Sequence, residues 1–413
     1  MKRFNFVHPL FLTAILILVL ALVLVAYQSV AAVDQAPAND SGPIVIGVSL
    51  PVTGRRAEPG TAAKQGYAVW VDMVNESGGL LGRQVELVVL DNGSEVETIK
   101  ADYEKLINEY KVDLVVGSQS SQLVIPSSEV AAKYGYAYVE PAGGAEEVFN
   151  RGLNNIFFAQ PAPAARQADA FALYILGLPA EERPQTFAIV TGDDAFALSV
   201  MARLKGLLTD GGIEQVVDLL YPLDTTDFSD IASQVAVADP DLIVGGTTFP
   251  DSVGQIKAYQ AIGYQPRFAF FTSGPSHPVG FRGELGTVTE GVFSAVSWFP
   301  EGKDYQNAEF VAKYLEMFGG ELGDVPEDAA NAFTVGQVME QAIEKIQSID
   351  NAALIEELHR GTYQTVVGPL GFDETGAPQG SFMLLQWQGE NFVIVGPKDR
   401  AEVDPLPVPK PAW

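Results

Sequence analysis

"DLVVGSQSS" (residues 113–121) and "DLIVGGTTF" (241–249) decide the fold. Each opens on an acid, runs through three apolar residues to a glycine, and continues in small residues, which the second stretch closes with Phe249. Short apolar runs bounded by Gly and hydroxyl side chains read as buried strands breaking into loops. A proline follows each, Pro126 or Pro250, and then a helical pattern. Proline suits a helix's first turn, where its missing N–H costs no bond. The small residues then fill the bend between strand and helix, where free backbone N–H groups point out from the carboxyl edge of a sheet. Open α/β sheets bind ligands at that edge. Tight turning alone accounts for Ser, Gly and Thr at a single bend; two matching bends favour a shared binding role.

The pattern extends outward from these strands. "IVIGVSL" (44–50), "VELVVL" (85–90) and "YAYVE" (136–140) read as strands. Between them, Ala62, Tyr67, Val69, Trp70, Met73 and Val74 share helical spacing that stops at Gly78–Gly79. Further helices are expected over 95–110 and 123–134. This alternation predicts a parallel, doubly wound sheet. It then restarts, with helices at 165–177, 195–210, 228–238 and 251–262 and strands at 187–191, 215–221, 241–246 and 268–272. After residue 290 it loosens into a strand (291–298), helices at 304–318, 328–347 and 351–359, and strands at 382–387 and 391–395. "DPLPVPKPAW" closes the chain as a Pro-rich tail without a core pattern. The expected class is α/β with two doubly wound lobes.

Composition bounds the function. The 413 residues suffice for two domains, and 47% hydrophobic with 19% charged residues is a globular balance. A formal charge of −27 repels phosphate backbones and argues against a nucleic-acid partner. The absence of cysteine excludes disulfides, thiolate metal sites and cysteine nucleophiles. Lys2 and Arg3 precede an apolar run from Leu10 to Ala26 broken only by Thr13. This is an export signal, either cleaved after "SVAA" (29–32) or retained as a membrane anchor. Residues 1–32 form that segment, 33–42 a linker, and the remainder lies outside the cytoplasmic membrane.

Catalytic signatures are lacking. Beyond the leader only His277 and His359 occur. His359 sits in a solvated helix, and His277 in a Gly/Pro loop that could border a cleft. No metalloprotease, nucleophile-elbow or phosphate-loop motif is present, and no cofactor or metal is implied. Arg55 and Arg56 stand in the first strand-to-helix loop. Arg56 is either a solvated residue or a guanidinium fork for a ligand carboxylate.

Six stretches in this order and spacing resemble a known family. They are "IVIGVSLPVTGRRAEPG", "NESGGLLGRQVELVVLDNGS", "VVGSQSSQLVIPSSEVAAKYG", "IVTGDDAFALSVMARLKGLLTDGG", "FSDIASQVAVADPDLIVGG" and "VVGPLGFDETGAPQGSFMLLQWQ". The family is the extracytoplasmic solute-binding proteins of ABC transporters, of the branched-chain amino acid (leucine/isoleucine/valine) type. The resemblance covers about residues 43–396. It implies a type I periplasmic-binding-protein fold with a three-crossover hinge. Lobe one would be 43–162 with 299–378, lobe two 163–298 with 379–396, and 397–413 the tail.

The resemblance also implies a site. A serine hydroxyl after the strand of the first motif holds the ligand carboxylate, here Ser121 with Ser120 beside it. The "EPAGG" loop adds Ala142, Gly143 and Gly144. Phe196 supplies an aromatic from lobe two, and Thr248 and Phe249 supply the second bend. Amino-acid binders of this type place an acid after the strand equivalent to 268–272, where this sequence has Gly274. An unpaired buried ammonium is disfavoured. The expected ligand therefore has an anionic or acceptor-rich end and an apolar body, unless Glu140, Asp193, Asp194 or Asp251 replaces the missing acid. The implied function is a monomeric receptor that closes on a small organic solute and delivers it to an ABC permease. The alternative is a ligand sensor of the same fold with a separate signalling partner.

Cleavage after Ala32 would leave a mature, soluble chain starting near Val33. N-terminal sequencing of exported protein should find that residue; Lys2 or Phe4 at the terminus of membrane-bound protein would establish an anchor instead.

Overall fold

A computed structural model describes residues 42–413 apart from Asp399. The expected export segment and nearly all of the linker lie outside these residues. Aliphatic and β-branched runs form β1 (Ile44–Leu50), β2 (Val85–Asp91), β3 (Leu114–Val116), β4 (Tyr138–Glu140) and β5 (Ile156–Phe158). They make one parallel sheet in the order β2-β1-β3-β4-β5. Helices α1 (Ala57–Glu76), α2 (Val96–Lys105), α3 (Ser121–Lys133) and α4 (Glu146–Phe149) connect them.

The chain then crosses to a second sheet through α5 (Asp169–Gly177). That lobe runs β6 (Thr186–Gly192), α6 (Ala195–Asp210), β7 (Glu214–Tyr221), α7 (Ser229–Ala238), β8 (Leu242–Gly246), α8 (Phe249–Ala261), β9 (Phe268–Phe271), α9 (Pro278–Leu285) and β10 (Val292–Val296). It next returns with α10 (Asn307–Phe318), α11 (Glu327–Ile346), α12 (Asn351–Leu358) and a hairpin of β11 (Thr362–Thr365) and β12 (Gly368–Gly371). Trp298, Phe333, Met339 and Tyr363 share one core with Ile46 and Val116 of the first sheet. Last, β13 (Met383–Gln388) and β14 (Asn391–Gly396) add two antiparallel strands to the second sheet, in the order β14-β13-β10-β9-β8-β6-β7.

Both parallel sets follow the doubly wound order 2-1-3-4-5. The two motif strands, β3 and β8, are therefore equivalent. Each lies beside the first strand of its lobe, with Gly47 opposite Val115 and Ile189 opposite Val244. Strand order reverses there, and a crevice opens at the carboxyl ends.

Gly117 and Gly245 share a steric cause. A Cβ on Gly117 would stand 2.0 Å from Cβ of Glu140 in β4, and one on Gly245 would stand 2.3 Å from the Phe271 ring of β9. Each strand ends in glycine because the neighbouring strand presses a side chain across it.

Four expectations change. Pro126 lies inside α3, because that helix starts at Ser121 rather than 123; only Pro250 sits in a first turn. The three-residue β5, too short to show a period, and the hairpin β11–β12 went unread. Helix α9, which follows the His277 loop, also went unread. The tail is docked rather than patternless: the Trp413 ring lies 6.0 Å from that of Tyr259 and tilted to it, and the Lys410 and Leu406 amides donate to Arg267 O and Gln386 Oε1. Prolines need no periodicity to lie along a surface.

Helices α1 and α11 approach backbone to backbone. A Cβ on Gly66 would fall 2.0 Å from Ala329 O, and one on Gly336 would fall 2.2 Å from the Trp70 ring. The Trp70 indole N–H donates to Glu340 at 3.1 Å. This contact fixes where α11 begins. Gly66→Ala should cost about 1–3 kcal/mol by overpacking, read as a lower urea midpoint at unchanged slope. An unchanged midpoint would show that the helices can separate freely.

Candidate functional site

The carboxyl edges of the two sheets enclose a cavity of about 310 Å³. Among the expected residues, Arg56, Ser120, Ala142, Phe196, Thr248 and Phe249 line it. Ser121, Gly143 and Gly144 do not. The Ser121 hydroxyl is buried and accepts the Ala145 N–H at 3.1 Å. A Cβ on Gly143 would meet Val124 at 2.5 Å, and one on Gly144 the Phe158 ring at 2.7 Å. These three residues build the wall from behind.

Glu140 explains the loop. Its carboxylate, at the end of β4, accepts the backbone N–H groups of Ala142 (2.7 Å) and Gly143 (2.5 Å). The amides expected to face a ligand are thus turned inward. Burial pushes Glu140 up to about 8 despite those two hydrogen bonds. The glutamate stands in the sequence beside the loop it captures, and its competition for the loop amides was the available signal.

Ser120 precedes α3 with φ = 78°, a region that L side chains rarely adopt. Its counterpart Thr248 precedes α8 in extended conformation, φ = −87°. Asp251, in the first turn of α8, accepts the Thr248 N–H at 3.2 Å and the Tyr221 hydroxyl at 3.2 Å. A proton on Tyr221 is held well above its usual range by burial and by Asp251.

The arginines bridge the lobes. The Arg56 guanidinium donates to Asp194 at 2.8 Å across the cleft and to Gln122 at 3.0 Å. Asp194 also caps α6, accepting from Phe196 N at 3.0 Å and Ala197 N at 3.3 Å. Arg55 lies 4.0 Å from Asp251, and His277 Nε2 lies 3.8 Å from Glu58. Asp193 is exposed. His277 does line the cavity, with its ring 5.5 Å from that of Phe249.

Three of the missed residues come from α11. Glu327, Asp328 and Asn331 line the cavity, along with Gln119, Gln160, Gln167, Thr272 and Phe382. Glu327 accepts from Ser297 N (2.5 Å) and Oγ (2.6 Å). Asp328 accepts from the Gln119 amide. Both acids are half-buried. Burial raises Glu327, and it pushes Asp328 up to about 6 against the opposing pull of His277 and Gln119. Acids in a helix's first turn ordinarily answer the helix dipole, so "PEDAAN" gave no sign of a cleft. The position near Gly274 is filled by packing: a Cβ there would stand 1.8 Å from Ser252 Oγ. No group of three or more His, Asp or Glu among the described residues could hold a metal ion. No helix among them is long and apolar enough to cross a membrane.

This geometry has known counterparts. Residues 43–391 match the periplasmic binding protein family. The chain belongs to that family. It is similar to Leu/Ile/Val-binding protein homolog 7 of Brucella abortus (strain 2308), 25% identical over 400 residues, 92% of this chain and 98% of that one. Its fold matches the branched-chain amino acid transporter substrate-binding protein of Streptococcus pneumoniae in complex with isoleucine. The TM-score is 0.75 at 18% identity, covering 89% and 100% of the two chains. It equally matches an R. palustris solute-binding protein in complex with benzoate, with TM-score 0.74 and 18% identity over 90% and 98%. The fold is thus type I periplasmic binding, and these family members are solute-binding proteins rather than enzymes.

Glu140 yields a pH test for this periplasmic binding protein. Its folded pKa exceeds the unfolded value, so the native state holds the proton more tightly. Stability should fall as pH rises from about 4.5 to 8, by at most about 1.4 kcal/mol per pH unit. Glu140→Gln should flatten the pH 6–8 part of the curve in denaturant titrations. A wild-type slope surviving in the variant would assign the proton elsewhere.

Proposed function

We propose that this protein is the extracytoplasmic receptor of an ABC importer, catching a small organic solute by closure of its two lobes and presenting the closed rims to a membrane permease. The observation that carries this reading is the Arg56–Asp194 pair, which ties opposite walls of the cavity at 2.8 Å. A ligand shuts such a cleft only by contacts it gains in the closed state. Ser120 and Ala142 receive the solute on lobe one, and Phe196, Thr248 and Phe249 cover it from lobe two. Ser121, Gly143 and Gly144 hold the receiving wall in shape. The relatives' names, for leucine, isoleucine and valine, and the isoleucine and benzoate complexes support an amino acid or an aromatic acid as cargo. The family name supports a location outside the cytoplasmic membrane.

A bound solute should raise the melting temperature, the stabilisation reaching about 2.7 kcal/mol at a hundredfold excess over Kd. The same solute should reduce the radius of gyration in small-angle scattering. Arg56→Ala and Asp194→Asn, the latter keeping the helix cap, should each weaken binding. In a double-mutant cycle their effects on affinity should couple by about 1–3 kcal/mol. Additive effects would remove the bridge from the closing mechanism.

A further inference from the structure

Glu58, His277 and Asp328 line the cavity, and the same three residues line an outer groove of about 400 Å³ beside α1 and the start of α11. They form the partition between the two spaces, and they reach it from three elements. Glu58 stands in the first turn of α1, Asp328 in the first turn of α11, and His277 immediately before α9. Helices α1 and α11 pack on the first sheet, where Tyr67 and Phe333 share a core with Ile46. Helix α9 packs on the second, where Phe281 shares a core with Ala269 and Phe271. The imidazole therefore crosses from one lobe to two acids of the other.

Little else holds that ring. Nε2 lies 3.8 Å from Glu58 Oε1, and Nδ1 is buried without a partner among the described residues. The ring edge meets Phe249 at 5.5 Å. The charged groups around it have partners of their own. Arg55 faces Asp251 at 4.0 Å, and Glu327 accepts from Ser297. On α9 itself, Arg282 donates to Thr289, and Glu284 accepts from Lys257 at 2.6 Å.

Protons added to this group favour the arrangement seen here, whichever site takes them. On His277 a proton makes a cation between two acids of the facing lobe, and histidine is the side chain that ordinarily changes charge between about pH 5 and 8. On Asp328 a proton removes a charge that burial disfavours; burial pushes that carboxyl up to about 6 against the pull of His277. With both protons gone, closure leaves Asp328 charged beside Glu327 with no cation facing it. The two sites titrate as a unit, and the sign is the same for both.

We propose that His277 is a pH-sensitive latch between the lobes: protonated, it clasps Glu58 and Asp328 and holds the cleft shut, and loss of the proton loosens the closed form. The latch rests on the receptor reading above, in which the lobes move, and adds a control on that motion. The receptor closes most readily in a mildly acidic medium and lets go more easily as the medium turns alkaline.

The chain has no cysteine, so Thr98→Cys on one lobe and Thr226→Cys on the other, both exposed, can each carry a spin label and report lobe separation without any solute. The ratio of short to long distances should be about fivefold higher at about pH 5.5 than at about pH 8, the scale of two partly exposed ion pairs. His277→Gln should abolish that difference, and His277→Lys, a cation at both pH values, should keep the short distance at the higher one. Equal ratios at the two pH values, or a pH response that survives in His277→Gln, would overturn the latch. If L-leucine or benzoate then shortens the distance equally at both, the receptor reading stands without it. If neither pH nor either solute moves the labels, the lobes are fixed and the receptor reading falls with the latch. Should the His277 variants fail to fold, Glu58→Gln on the exposed side of the partition should cut the pH response by about half; an undiminished response would again overturn the latch.

Discussion

Arg56 meets Asp194 across the cleft with side chains only 15% and 14% exposed, and the charge pattern of the cavity depends on that meeting. A fully exposed pair would contribute little. Here water is partly excluded, and the carboxylate has further partners in the two amides that open α6. Asp194 therefore keeps hydrogen-bond donors at the start of α6 whether or not Arg56 reaches it. Arg55 approaches Asp251, which reaches back from the first turn of α8 to accept the amide of Thr248. Both arginines of the β1–α1 loop are thus directed at acids already committed to helix starts in the other lobe. That leaves the acids of α11 without a lysine or arginine partner, and His277 as the basic group that acts on Asp328.

The two matching motifs diverge where the chemistry begins. Their strands occupy equivalent places in equivalent sheets, and each glycine yields to a neighbouring side chain. Thr248 then enters its helix in relaxed extended geometry, with Asp251 taking its amide. Ser120 enters with positive φ, a conformation that costs of order 1–3 kcal/mol and persists only where surroundings enforce it. The enforcement is visible around it: the α3 amides of Leu123 and Val124 return to Ser120 O, and the Ser121 hydroxyl is fastened to Ala145. On the proposed receptor reading, lobe one presents a rigid receiving surface before closure. On the same reading, lobe two supplies aromatic cover from Phe196 and Phe249, which line the cavity.

Most of the architecture was legible because parallel strands buried on both faces leave continuous apolar runs, and helix stops fell on glycine pairs. Helix α6 was expected over 195–210 and spans those residues. What failed to show was short or non-periodic: β5, the hairpin after α12, and the docked tail. The site was legible where the chain itself supplies the strand ends, as at Ser120, Phe196 and Thr248. It was illegible where distant segments converge. Nothing local marks Glu327 and Asp328 as cleft residues, since first-turn acids are ordinary. Only the α1–α11 contact at Gly66 and Gly336 carries them to the carboxyl edge. Gly143 and Gly144 illustrate the reverse case: a loop beside the cavity in which the amides of Ala142 and Gly143 are taken by a neighbour, Glu140.

Closing the lobes over Asp328 has an energetic consequence. In an open cleft water solvates the carboxylate; closure replaces much of that water with protein, which disfavours the charge and raises the pKa. An apolar solute held only by Phe196, Phe249 and Phe382 does nothing to offset this. The cleft would then close by taking up a proton onto Asp328, a cost that grows as pH rises above about 6. A protonated amine removes the cost, because attraction between opposite charges strengthens as water leaves. The contact is then worth more in the closed state than in the open one, the condition for a ligand to shift the equilibrium at all. The charge of the solute and the closure of the lobes are therefore coupled through the carboxylate of Asp328.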